Sequence, residues 1–139
     1  MIFHFFSHHG ETHLESDMHL SAPRIPFRLG GLVQMPASVT PVVRFPLFWL
    51  SLHHLPQWLY RALVRRVVNH DGLLVTYFHP WEFSEDTVSP QYRLPFVVRR
   101  HCGQPMVNRL DGLISNLLHH GYHFTTFSKY INIYNIYNL

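Results

Sequence analysis

Histidine is the residue type in this sequence that is best suited to chemistry. The chain has 139 residues, of which 13 are histidines and 8 are acidic. Two pairs, His4/His8 and His9/His13, have the spacing that places both rings on one face of a helix, as in many metal sites. Gly10 interrupts such a helix, and the sequence contains no Asp-Asp pair. The simpler alternative is a histidine-rich terminal stretch, and no metal ligand is assigned.

A second candidate lies in Tyr77–Phe83, which reads YFHPWEF. It overlaps a continuous apolar run, Leu73–Phe78, which has the length and composition of a strand covered on both faces. His79 would then lie at the carboxyl end of a strand, where barrel enzymes place their chemistry, and a histidine can donate a proton near neutral pH. Trp81 and Glu82 follow within three positions. The alternative is a histidine that only forms hydrogen bonds in the turn after the strand.

Composition limits the class of protein. Apolar residues make up 47% of the chain and charged residues 14%, which allows one packed domain. The basic residues are scattered, so no nucleic-acid partner is expected. Cys102 is the single cysteine, which excludes an internal disulfide framework. Arg44 and Pro46 interrupt the apolar run 42–52, so no membrane span is predicted. The apolar stretch 1–6 is too short for an export signal and has no basic segment or cleavage site, so a cytoplasmic location is the default.

Hydrophobic periodicity predicts alternating strands and helices. The predicted elements are a buried strand at 32–35, a helix from Pro56 that stops before Asn69, the strand 73–78, a helix from about Pro105 to His120, a strand at 122–127 and a short helix from Ser128. The expected apolar stripes are Trp58, Leu59, Ala62, Leu63 and Val67 on the first helix, and Val107, Leu110, Ile114, Leu117 and Leu118 on the second.

Successive strand-helix units imply a parallel sheet with right-handed crossovers. The predicted fold class is therefore α/β, with about three parallel strands and covering helices. A closed (β/α) barrel takes about 250 residues, so we expect a partial, incomplete barrel.

Three stretches carry a resemblance to a known family. They are Gly30–Ser38 (GGLVQMPAS), Tyr77–Phe83 (YFHPWEF) and Leu117–Phe127 (LLHHGYHFTTF). Together they resemble the C-terminal half of the polysaccharide deacetylase (NodB-homology) domain. The resemblance covers residues 15–131, and it leaves 1–14 as an irregular lead-in and 132–139 as a tail. Residues 15–20 (ESDMHL) lie at the start of this range. They differ from the family's Asp-Ser-Ser-x-His-Pro motif at the first and the last position.

The resemblance implies a metal-dependent hydrolysis of N-acetyl groups on a polysaccharide, with a divalent metal such as zinc in the complete domain. It implies that His79 is the general acid and that Tyr77, Trp81 and Glu82 belong to the substrate site. The family's Thr-Phe-Asp-Asp motif is absent, so this chain is expected to hold no cofactor and to be inactive alone. Activity on C–N bonds would require completion by a separately encoded N-terminal half. The alternative is a non-catalytic carbohydrate-binding or complementing module.

Overall fold

A computed structural model describes residues 22–136 of the chain, apart from residues 90 and 92. Several predictions from the sequence lie outside the described residues. These are the lead-in 1–14, both pairs of spaced histidines within it, the ESDMHL segment at 15–20 and the last part of the tail, 137–139. They stay predictions.

Helices dominate the described part. Strands β1 (Phe27–Leu29) and β2 (Leu32–Gln34) form an antiparallel hairpin, and its turn contains Gly30 at φ +60°. The helices are α1 (Trp49–His54), α2 (Gln57–Asp71), α3 (Phe96–Arg99), α4 (Gln104–His119) and α5 (Phe127–Ile133). Two short 3-10 helices, Pro80–Phe83 and Glu85–Val88, follow the extended segment 73–79.

The two long predicted helices are confirmed. Helix α2 begins after Pro56, and α4 agrees with its predicted range to within one residue at each end. The strand predicted at 32–35 is confirmed as β2, and its partner is the neighbouring strand β1. Its predicted burial was wrong, because a two-stranded hairpin leaves Leu32 67% exposed. Segments 73–78 and 122–126 are extended but belong to no ladder with other described residues. The parallel sheet and the partial (β/α) barrel therefore stay predictions.

The main core lies between α2 and α4. Tyr60, Val64 and Val67 recur at helical spacing on α2 and are buried. They pack in one cluster with residues from α4, from the segment before α1 and from α1 itself, which include Met106, Leu110, Leu113, Leu117, Leu47 and Leu52. Burial of each such side chain contributes about 1.5–3 kcal/mol. This interface therefore supplies most of the apolar stabilisation around the candidate site.

The two predicted apolar stripes are confirmed in part, since Val67, Leu110 and Leu117 are buried. Trp58 on α2 is 70% exposed and Leu118 on α4 is 55% exposed, although both were expected to be buried. Tyr60 takes the central position on α2 and is fully buried. The stripe prediction was wrong at these positions because apolar residues occur on more than one face of α2, and because a tyrosine can bury its ring despite its hydroxyl.

The carboxyl end of α1 is held by side chains from the following part of the chain. Arg109 Nε donates to Leu52 O at 2.8 Å, and its Nη2 donates to Leu55 O. His101 Nδ1 lies 2.7 Å from His53 O. The last carbonyls of a helix have no partner within the helix, and cations favour that end of the helix dipole. These contacts fix α1 against α4.

Ser38 connects the extended segment 73–79 to the start of α1. Its N–H donates to Val75 O at 2.8 Å, and its Oγ accepts from Val75 N–H at 2.9 Å. Its own carbonyl accepts from Leu47 N–H at 2.9 Å. Ser38 is buried, so these hydrogen bonds are shielded from water. The residues after Val75 are thereby brought next to the residues that open α1.

Gly103, which caps the amino end of α4, should tolerate no side chain. Its backbone has φ +74° and ψ −142°, and a Cβ there would lie 3.0 Å from Glu85 Cγ and 3.2 Å from Glu85 Cα. We expect Gly103→Ala to lower the free energy of unfolding by about 2–3 kcal/mol, measured by urea denaturation. Gly72→Ala is the matched control, because Gly72 has φ +71° with nothing within 4 Å of its Cβ position. That control should cost about 1 kcal/mol. Equal losses would contradict the role of the Glu85 contact.

Candidate functional site

Five aromatic and imidazole rings meet where segment 73–79 reaches α1. They are Phe48, Trp49, Tyr77, His79 and Trp81, here called the ring cluster. Ring centroids of Trp49 lie 5.7 Å from His79 and 5.4 Å from Trp81. The Phe48 and Tyr77 rings are stacked with centroids 5.5 Å apart. All five side chains are partly exposed, so the cluster forms a surface that a ligand can reach.

The local backbone explains how the rings come together. Tyr77 and His79 are two positions apart in an extended segment, so both lie on the same side of it, with ring centroids 6.0 Å apart. Pro80 then begins a 3-10 helix and brings the chain back towards His79. The Trp81 ring therefore stacks on the His79 ring at 5.5 Å with an angle of 10° between the planes. The predicted pair His79 and Trp81 is thus in direct contact.

Glu82 lies behind the ring cluster and is fully buried. Its Oε1 accepts from the backbone N–H of His79 at 2.6 Å, and its carbonyl accepts from Gly103 N–H at 2.8 Å. Its Oε2 has no hydrogen-bond partner among the described residues. Burial raises the pKa of the Glu82 carboxyl to about 7. The carboxyl therefore holds the His79 backbone in place, and it does so from a position without access to solvent.

Three further histidines lie next to Trp49. His53 is fully buried on α1, and its ring centroid lies 5.3 Å from that of His54 and 5.5 Å from that of His101. Burial, followed by the nearby His54, His101 and Arg109, lowers the pKa of His53 to about 4. His53 is therefore neutral near pH 7. It packs under Trp49 with ring centroids 6.1 Å apart, and so acts as a support for that ring.

Trp49 is the residue of this site that the sequence prediction did not include. Its indole contacts both His79 and Trp81, although it lies about thirty positions earlier in the chain. The available signal was the spacing of Trp49 and His53, which places both rings on one face of α1. That signal alone does not indicate which segment the face meets, because the contact is made through the tertiary structure.

The described residues offer no site for a metal ion. No group of three or more His, Cys, Asp or Glu that could hold one occurs within 22–89, 91 and 93–136. In the histidine group, His101 Nδ1 is already bonded to His53 O, and its Nε2 accepts from Arg100 Nε at 3.1 Å. Burial, and then the Glu82 charge, raises the pKa of the Cys102 thiol, so a thiolate nucleophile is disfavoured there.

Comparisons with known proteins give no relative for this chain. No family model, no curated protein and no solved structure matches it. Among the helices of the described residues, none has the length and apolar composition that crossing a membrane requires.

The buried carboxyl of Glu82 should make stability depend on pH. Its folded pKa of about 7 lies above the ordinary value of 4.5, so its contribution is fully present below about pH 4.5 and is lost as pH rises through 7. Glu82→Gln keeps an oxygen for the His79 N–H but cannot ionise. We expect the variant to gain about 1–3 kcal/mol relative to the parent between about pH 4.5 and pH 8.

Urea denaturation of both proteins at the two pH values measures this difference. Glu85→Gln is the matched control, because Glu85 is an exposed neighbour and its substitution should leave the pH dependence unchanged. A difference between Glu82→Gln and the parent that does not vary with pH would contradict a buried, protonated carboxyl.

Proposed function

We propose that this chain is the C-terminal part of a polysaccharide deacetylase-type domain, with the ring cluster as one wall of its carbohydrate site. The contact of Trp49, His79 and Trp81 on an accessible surface is the observation that supports this proposal most. Sites for small ligands combine aromatic walls with a few polar groups that fix orientation. A tryptophan face suits the apolar C–H face of a sugar ring, and an imidazole beside it suits a polar substituent.

His79 takes the role of general acid in this proposal. When an amide bond breaks, the departing nitrogen must gain a proton, and an imidazole beside the sugar can supply it. Trp81 fixes the orientation of the His79 ring by stacking, and Glu82 fixes its backbone. Both residues thus act as positioning residues, and Tyr77 extends the aromatic wall. In the complete domain, a divalent metal would polarise the acetyl carbonyl and activate water.

The described residues do not fit that metal, so no metal step is assigned to this chain. The metal ligands and the base are then expected to come from outside the described residues, and a separately encoded N-terminal half is the proposed source. This arrangement makes the chain inactive by itself. A carbohydrate-binding module without catalysis is the second candidate, and the near-perpendicular pair of Trp49 and Trp81, at 76°, favours it as a corner that could hold a sugar ring.

Glycan binding tests the aromatic wall. We expect the purified chain to bind an N-acetylglucosamine pentamer saturably, and Trp81→Ala to weaken binding about tenfold, because a stacking surface is lost. Intrinsic fluorescence and calorimetry measure the affinity. Trp58→Ala is the matched control, since Trp58 is 70% exposed on α2 outside the ring cluster. Absence of binding, or an equal effect of the two substitutions, would rule out the proposed wall.

Acetate release separates the two candidate functions. With Zn²⁺, Co²⁺ or Mn²⁺ present, the chain alone should release no acetate from the same pentamer. A mixture with the N-terminal half of a polysaccharide deacetylase should release it, and His79→Ala in that mixture should reduce the rate about a hundredfold or more. Release by the chain alone would contradict its proposed incompleteness. Binding without release in any mixture would favour the non-catalytic module.

A further inference from the structure

A cavity of about 490 Å³ is lined in part by segment 73–79 and by none of the five rings of the ring cluster. Residues 73–76 and Phe78 line the cavity, whereas Tyr77 and His79 contribute to the ring cluster. The other walls come from Met35, from the end of α2, from α4, from residues 121–126 and from α5 and the residue after it. The cavity is therefore separate from the candidate carbohydrate site, and its ligand chemistry does not depend on the proposed function.

The chemistry of the lining is uniform. Aliphatic and aromatic side chains dominate it, with Leu113, Ile114 and Phe127 among them. None of the described residues that line it is Asp, Glu, Lys or Arg. His123 is the one imidazole among these lining residues. An ion placed there would lose its hydration and gain at most that single partner, which is unfavourable. The lining thus selects against charged ligands.

We infer that this cavity binds an uncharged small molecule that is mostly hydrocarbon. Its volume lies within the range of about 300–1,000 Å³ that is typical of small-molecule sites. It is about three times the size of a cavity of roughly 150 Å³ that holds benzene. Native cores retain few voids larger than one water molecule, so the described side chains around this cavity leave far more room than ordinary packing does.

The test uses 1-octanol as the probe and octanoate as its charged counterpart. We expect the full chain to bind 1-octanol saturably at one site, measured by calorimetry and by shifts in methyl resonances of residues that line the cavity. Octanoate at about pH 7.5 should bind at least about tenfold more weakly, because its carboxylate would be buried unpaired. No saturable binding of 1-octanol, or equal binding of the two probes, would overturn the inference.

Two tryptophan substitutions on α4 give a matched pair. Ile114 lines the cavity, so Ile114→Trp should fill it and abolish 1-octanol binding. Leu118 is 55% exposed, and Leu118→Trp should leave binding unchanged. A melting curve for each variant checks that it is folded. If Ile114→Trp is unfolded, Thr125→Trp replaces it, because Thr125 also lines the cavity.

Unchanged binding in a folded, cavity-filled variant would overturn the inference. A second contrary result would be an affinity for 1-octanol that decreases as protein concentration rises and dimers form. A second copy of the chain would then cover the cavity.

Discussion

The carboxyl of Glu82 is buried with one hydrogen bond, to the backbone N–H of His79, and this constraint governs the candidate site. A buried carboxylate with few partners is costly, so the group is stable there chiefly in its protonated form. The adjacent carbonyl of Glu82 accepts from Gly103 N–H and so joins the 3-10 helix to the amino end of α4. One residue therefore sets the position of His79 relative to the main helical core.

A second constraint places Trp49 opposite His79. The carbonyls at the end of α1 would be unsatisfied in a buried setting, and Arg109 together with His101 supplies their donors. Burial lowers the pKa of the Arg109 guanidinium but leaves it charged at neutral pH, so its hydrogen bonds are charge-assisted. Because α1 is held at that end, its first residues are directed towards the 3-10 helix that carries Trp81. The aromatic wall thus depends on contacts that are distant from it.

Segment 73–79 divides two environments. Tyr77 and His79 belong to an accessible cluster of rings, whereas residues 73–76 and Phe78 line an apolar cavity. This arrangement explains why its sequence is apolar without alternation, since both sides of the segment contact other parts of the protein. The ring cluster and the apolar cavity thereby share one stretch of backbone. They can bind ligands of different chemistry.

The sequence by itself determined the elements whose signals are local. Helices α2 and α4 followed from their periodicity, with Pro56 before the first and Pro105 in the first turn of the second. The sequence singled out His79 and Trp81 as candidates, but their stacking is a finding of the structure. The family resemblance and the parallel barrel rest on the sequence alone and stay predictions.

The stripe on α2 was misplaced because apolar side chains occur on several of its faces, and only the packing against α4 selects Tyr60 over Trp58. The tertiary structure alone placed Trp49 beside His79, buried Glu82 and opened the cavity, because each depends on contacts between segments that are far apart in the chain. Local sequence encodes backbone preference and amphipathic periodicity, whereas the burial of a particular atom is decided by whichever distant segment covers it.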